Sequence, residues 1–370
     1  MLKNLEPYQR ELIEESSGSD ITPKVKSLAN MGLRRICVFG AGAIGGHLAA
    51  KLAAAGHDVS VVARGANLAA IKKNGIALRD GAQPGARTIA GRVRASEDTE
   101  ELGAQDVVFV TTKATALAAF AAATAPLAGP ETAFVFVQNG IPWWYAQGID
   151  SGIRGARPRP PDLSPLDPGG ALARAIDPGR VIGGVVYSSN DVVAPGVVMN
   201  YSAGRNMLVV GETDDRHSER IAALRALLGA AELHSPPAAD IRQSVWDKLL
   251  INFGSSLCVP LGEPISAVVN DPTLRVVRDR LLTEGRAIAQ AHGVSPDGAP
   301  KRPGAVQGSV ATAHKPSMLQ DYELGRPMEV AAILAMPCAF ARAAGVDAPT
   351  LAALHAITGR LAAQKGLYSP

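Results

Sequence analysis

Short apolar runs punctuate the first half of the chain. Ile36–Phe39, Asp58–Ala63, Asp106–Thr111 (DVVFVT), Thr132–Val137 (TAFVFV) and Val181–Tyr187 are rich in Val, Ile and Phe and show little polar alternation. These runs predict strands, with Ile36–Phe39 and Asp106–Thr111 reading as buried. Helical spacing separates them, in the residues after Gly45, in Asn67–Asn74 and in Ala114–Leu127. Ile76–Ala90 and Gly91–Ala95 read as short strand pieces around glycine turns, and Gly196–Tyr201 and Met207–Gly211 as two further strands. Strand alternating with helix predicts a parallel sheet with right-handed crossovers. The strands from 181 to 211 would complete that same sheet, partly antiparallel.

From Ser218 the strand signal ends. Ser218–Leu228, Asp240–Cys258, Thr273–His292, Ala305–His314, Met328–Ala344 and Thr350–Lys365 carry helical periodicity between Gly/Pro breaks, and Pro337 is placed to kink the fifth of them. The pattern predicts an α/β domain over 33–215 and an all-α C-terminal domain over 216–370, with the active site in the cleft between them. Ala146–Pro178, rich in Pro, Gly and Arg, reads as an inserted loop. Residues 1–32 are polar, contain SSGSD, Pro7 and Pro23, and read as a disordered arm without a catalytic role; Met31 is a candidate alternative start.

The first strand runs into Gly40-Ala-Gly42-Ala-Ile-Gly45, a G-x-G-x-x-G turn followed by a helix and a second strand. Gly40 permits the sharp turn, Gly42 lets backbone approach a pyrophosphate, and Gly45 lets helix and strand pack closely. Ala43 and Ile44 open the helix, whose free N–H groups and positive dipole end suit phosphate. This context makes the α/β domain Rossmann-type. Dinucleotides with a free ribose 2′-OH meet Asp or Glu at the end of the second strand. Here that place holds Arg64, suited to fork a 2′-phosphate, so NADP(H) is expected over NAD; the plainer reading is a solvated arginine. Lys113 and Asn139 follow the strands Asp106–Thr111 and Thr132–Val137, where ligands collect in such sheets.

In the helical half, Asp240 is a candidate N-cap for a helix that places Lys248, Asn252 and Ser256 on one face, four residues apart. The rest of that helix is apolar, so Lys248 must reach water, a partner or a ligand; a lysine snorkelling at the core edge fits equally well. In His314–Val330, Ser317 is suited to cap a short turn, and Pro327 to open the next helix with Glu329 in its first turn.

Composition narrows the field. Hydrophobic residues are 47% and charged residues 19% of the 370, and the net charge of +3 with 4% aromatics gives no nucleic-acid footprint. No apolar run approaches a membrane span. Cys37, Cys258 and Cys338 are scattered, with no C-x-x-C and no histidine cluster, which argues against a metal site or a disulfide framework and for a cytoplasmic protein.

Taken together, these residues resemble the ketopantoate reductase (2-dehydropantoate 2-reductase) family. The matching features are the GAGAIGG loop, Lys113 after a strand, Gln138-Asn139-Gly140, Trp246-x-Lys248-x-x-x-Asn252, and Ser317-Met-Leu-Gln-Asp321 with Gly325-Arg-Pro-x-Glu329. The resemblance runs from about Arg35 to the C-terminus. It implies NADPH-dependent reduction of ketopantoate to pantoate, in pantothenate biosynthesis. Lys248 would be the proton donor, Glu329 the supporting acid, and Asn139 and Lys113 would lie near nicotinamide and substrate. Asn252 would hold a substrate hydroxyl and Ser317 its carboxylate. Ser256 would join the substrate-binding residues, though it stands where the family often has a second asparagine, and Trp143-Trp144-Tyr145 with the following insertion is a second departure; the tryptophans read more readily as loop anchors than as substrate contacts. Alternatives are reduction or oxidation of another 2-oxo or hydroxy acid on the same scaffold, and a non-catalytic NADP-binding sensor. A small-molecule substrate and a homodimer are the partners expected.

Overall fold

The computed structural model describes residues 33–150, 157–296 and 315–369. The N-terminal arm and the helix expected over 305–314 lie outside the described residues.

The longer apolar runs form one twisted sheet. Strands β1 (Arg35–Phe39), β2 (Asp58–Val62), β5 (Arg94–Ser96), β6 (Gln105–Val110), β7 (Ala128–Phe136) and β8 (Val181–Tyr187) are joined by β11 (Met207–Glu212). Their order is β11-β8-β7-β6-β1-β2-β5, and all pairings are parallel except β11 against β8. The chain leaves β1 toward β2 and later returns to β1's other side as β6. The carboxyl ends of β1 and β6, where Phe39 faces Val110, therefore flank the crevice of the sheet.

Side-chain alternation divides the interior into two cores. Cys37, Phe39, Val108, Val110, Phe134 and Phe136 face one core, and Ile36, Val38, Val107, Phe109, Ala133 and Val135 face the other. A fully buried Val, Ile or Phe contributes about 1.5–3 kcal/mol, which is why these runs carry no polar face.

The second sheet is a departure from expectation. β3 (Ile76–Asp80), β4 (Arg87–Gly91), β9 (Asn190–Ala194) and β10 (Val197–Asn200) pair in the order β4-β3-β10-β9. They cover helix α1 (Ala43–Ala54) rather than extending the main sheet. The contact is close: a Cβ on Gly46 would lie 2.6 Å from a methyl of Val198. Parallel pairing of β10 with β3 joins segments far apart in sequence, so no local pattern announces it.

Four further departures bear on the site. Helix α2 (Gly65–Asn74) is as expected, but Ala114–Leu127 is broken into a 3₁₀ turn, helix α3 (Leu117–Ala122) and a second 3₁₀ turn containing Pro126. The described part of the insertion is more than a loop. It forms short turns and helix α4 (Ala171–Ala175), burying Leu166, Leu172 and Ile176 in the larger core against α3. Helix α5 (Glu219–Ala230) buries Leu224, Leu227 and Leu228 in the smaller core beside α1, so this first helix after residue 216 packs on the sheet.

The remainder is helical as expected: α6 (Ile241–Ser256), α7 (Cys258–Leu261), α8 (Ile265–Asn270), α9 (Pro272–Ala291), α10 (Ser317–Glu323), α11 (Met336–Ala344) and α12 (Pro349–Gln364). The fourth departure lies in front of α11, where Ala331–Ala335 forms a π-helical turn. Pro337 has no N–H for the carbonyl four residues earlier and its ring crowds that carbonyl, so the widened turn stands where a kink was expected. Helix α6 docks on the sheet through Ile241, against which Cβ atoms on Gly183 and Gly211 would lie 2.7 and 3.0 Å away.

Candidate active site

The glycine turn is tight and closely packed against strand and helix. Gly40 adopts φ +108°, and a Cβ on Gly45 would lie 1.9 Å from the Gly40 carbonyl oxygen and 2.4 Å from Thr111 Oγ1. A Cβ on Gly42 would meet nothing within 4 Å. Gly42 caps α1 in an extended conformation and is itself exposed, and no side chain bonds the helix start. A dinucleotide pyrophosphate fits this concavity. The turn is braced by two side chains that sequence reasoning did not single out. Thr111 Oγ1 donates to the Gly40 carbonyl at 2.7 Å. Asn67 Nδ2 donates to the Ala41 carbonyl at 2.7 Å, while Asn67 Oδ1 accepts from the Gly196 N–H. Ala43 and Ile44 open α1, and Arg64 stands exposed just past β2, in front of α2.

Beyond β6 and β7 three expected residues come together. Gln138 Nε2 donates to the carbonyls of Val110 and Thr112, tying the two strand ends. Gly140 then turns at φ +82°, where a Cβ would lie 2.5 Å from the backbone of Ala332. Ile141 N–H donates to the Ala332 carbonyl at 2.9 Å. That close approach brings Asn139 to Glu329, whose buried carboxylate also accepts from the Ala114 N–H at 3.0 Å. Burial raises the Glu329 carboxyl above its usual range, outweighing the Ala114 N–H, Lys113 and Asn139, while Asp321 adds to the rise. Lys113 Nζ pairs with Asp321 at 2.6 Å and donates to the Pro327 carbonyl at 3.3 Å. Asp321 is buried and also pairs with Arg326 at 3.1 Å. It is a structural partner of the site that sequence reasoning quoted without a role.

The α6 face lies alongside. Asp240 caps α6 by accepting from the Arg242 and Gln243 N–H groups, as its position predicts. Helix α6 touches the π turn that follows Glu329. Lys248 is partly buried, with Nζ 5.0 Å from the ring centre of Tyr187 at the end of β8. Asn252 Nδ2 is buried without a hydrogen-bond partner. Ser256 is different: its hydroxyl donates to the Asn252 carbonyl at 2.7 Å, turned onto its own helix. Ser317 is exposed at the start of α10, whose cap is Pro316 without a side-chain bond, so the expected capping by Ser317 does not form. Glu329 immediately precedes its helix instead of lying in the first turn, and its carbonyl accepts from the Ile333 N–H. Trp143 and Trp144 are core anchors: Trp143 packs edge-on to Phe136, and Trp144 fills the space a Cβ on Gly183 would take.

Two family models match this chain, that of ketopantoate reductase over residues 36–142 and that of its C-terminal domain over residues 240–362. A 2-dehydropantoate 2-reductase of Mesorhizobium japonicum is 42% identical over 90% of this chain and 100% of its own length. The chain belongs to the ketopantoate reductase family. Among solved structures, a Ralstonia solanacearum protein described as a ketopantoate reductase shares 35% identity and a TM-score of 0.76, covering 91% of this chain and 100% of its own. The 2-dehydropantoate 2-reductase of Geobacter metallireducens shares 26% identity and a TM-score of 0.72, over 88% and 99%. A D-mandelate dehydrogenase structure with NADH, at 16% identity and a TM-score of 0.71, is alike in fold. The family models end their first match just past Asn139-Gly140 and open the second at Asp240, the cap of α6.

Among the described residues, no helix is long and apolar enough to cross a membrane, and no group of three or more His, Cys, Asp or Glu could hold a metal ion. The three cysteines are free and buried.

Proposed function

We propose that this chain is an oxidoreductase that reduces a 2-oxo acid to its 2-hydroxy acid with NADPH, and that the substrate is ketopantoate, giving pantoate. The observation that carries the reading is the meeting of Glu329, Asn139 and Ala114 N–H at the carboxyl ends of β6 and β7, beside the open N-terminus of α1. The 42% identity with a curated 2-dehydropantoate 2-reductase supports the substrate. The exposed Arg64 past β2 supports NADPH over NADH.

When bound, the dinucleotide supplies a hydride; the protein's own groups do the rest. Gly42 and the α1 N–H groups hold the pyrophosphate. Lys248 stabilises negative charge growing on the 2-oxo oxygen and passes that oxygen a proton from its ammonium. Asn252 Nδ2, buried without a partner, is free to donate to a substrate hydroxyl. Ser317 takes the substrate carboxylate. Glu329, held by Ala114 and Asn139, steadies the polar network around Lys113. Ser256 contributes by shaping α6 rather than by reaching the substrate. A homodimer in the cytoplasm completes the reading, and Val276, Leu324 and Ile357, exposed on the helical half, are candidate contacts between copies.

The test is Lys248→Ala. NADPH affinity should persist while turnover falls at least about 100-fold, the scale of general acid catalysis; near-normal turnover would remove Lys248 from the mechanism. A panel of 2-oxo acids should give ketopantoate the highest kcat/KM, and a higher value for another acid would replace it as substrate.

A further inference from the structure

Tyr187 is the last residue of β8, fully buried, and its ring lies directly beside the ammonium of Lys248 at 5.0 Å. Its hydroxyl donates at 3.3 Å to the carbonyl of Ser244, one helical turn before Lys248 on the same face of α6. Those two contacts fix the ring along the α6 face. The far end is tethered to helix backbone, and the ring face is presented to the ammonium. β8 cannot drift from this position, because Tyr187 is registered opposite Met207 in the antiparallel β8–β11 ladder.

We propose that Tyr187 is a positioning residue for Lys248, holding the ammonium in place through the face of its ring. The proposal rests on Lys248 being the proton donor. The ring carries a negative face that attracts a cation within about 6 Å, most strongly where water is excluded. An aliphatic side chain would fill the same core volume without that field. The ring also restrains a four-carbon stem that would otherwise sample many rotamers. Asn252, one further turn along the same face, is then the next polar group a substrate meets after Lys248.

The experiment varies the electron density of the ring face, at nearly constant shape for the two aromatic variants. Tyr187→Phe, Tyr187→Leu and a variant with 3,4,5-trifluorophenylalanine at position 187 are each made with Lys248 intact and with Lys248→Ala, and kcat and NADPH affinity are measured. With Lys248 intact, Tyr187→Phe should keep kcat within about twofold, whereas the trifluoro ring and Tyr187→Leu should lose about 5- to 30-fold, with NADPH affinity unchanged in each. In the Lys248→Ala background the same changes should cost nothing further, since their route of action is gone. Equal kcat for the Phe and trifluorophenylalanine variants, or the same loss in both backgrounds, overturns the role of Tyr187 and leaves Lys248 as it stands. Near-normal turnover of Lys248→Ala alone overturns the proton-donor reading and this proposal with it. Should Tyr187→Leu fail to fold, the Phe and trifluorophenylalanine pair decides the matter.

Discussion

Gly42→Ala and Gly45→Ala change one methyl each, three residues apart, and should fail in different ways. Gly42 has φ −77° in an extended conformation that alanine adopts freely, and its Cβ would meet nothing within 4 Å. The fold should not register the change, so the melting temperature should stay within about 1 °C. The methyl does stand where a pyrophosphate must approach the α1 N–H groups. Losing one charge-assisted hydrogen bond costs about 1.5–3 kcal/mol, which raises the Kd for NADPH about 10- to 150-fold. At Gly45 the methyl would lie 1.9 Å from the Gly40 carbonyl oxygen and 3.0 Å from Val38 Cγ1, so strand and helix must separate. Overpacking costs about 1–3 kcal/mol, and a clash with backbone belongs at the upper end. At about 2–4 °C per kcal/mol, melting should drop by about 6–12 °C, with cofactor affinity lost as well. The assays are thermal melts and NADPH fluorescence titrations of the three proteins. Wild-type NADPH affinity in Gly42→Ala would refute the assignment of the cradle. A melting temperature as low for Gly42→Ala as for Gly45→Ala would refute the steric argument.

Arg64→Ala should raise the KM for NADPH about tenfold or more while leaving that for NADH nearly unchanged, because only the former carries the phosphate a guanidinium grips; equal effects in steady-state kinetics would show that Arg64 does not read it. Glu329 has a raised carboxyl pKa in the folded protein, so its favourable contribution is full below the unfolded value of about 4.5 and is lost as pH rises through the folded value. Urea unfolding across pH should therefore show Glu329→Gln without that loss and relatively more stable at neutral pH, though less active; parallel profiles for the two proteins would exclude it. His47 is buried with Nε2 unpartnered, and burial lowers its pKa from 6.5 to about 4. Its stability contribution is present above 6.5 and lost as pH falls toward 4, in total about 3 kcal/mol at about 1.4 kcal/mol per unit. His47→Met should flatten the unfolding free energy in that window, and an unchanged slope would place the titration elsewhere.

The buried charges around the start of α6 show how much of the architecture is decided by contact. Arg242, fully buried at the start of α6, donates to the carbonyls of Tyr145, Thr213 and Gln147. Arg157, from the insertion, pairs with Asp215 at 3.1 Å and Asp240 at 2.9 Å. The insertion is thereby tied to the cap of the helix that carries Lys248. Nothing in the composition of 146–178 distinguishes such a tether from a solvated loop, because its anchoring partners lie 58 and 83 residues away.

By itself the sequence determined those features whose cause is local. Strands buried on both faces need uninterrupted Val, Ile and Phe. A phosphate cradle needs glycine at 40, 42 and 45. A helix start needs an acceptor such as Asp240, and the close passage at Gly140 needs a residue without a side chain. Tertiary structure alone decided what depends on partners distant in the chain. It moved β10 into a second sheet over α1, turned Ser256 back onto its helix, and gave Lys113 to Asp321. It set Tyr187 beside Lys248 although they lie 61 positions apart, a position in which tyrosine in a buried strand reads simply as core. Periodicity reports which face of an element is apolar; it carries no record of which other element will cover that face, and the polar groups of an active site meet where those covering elements converge.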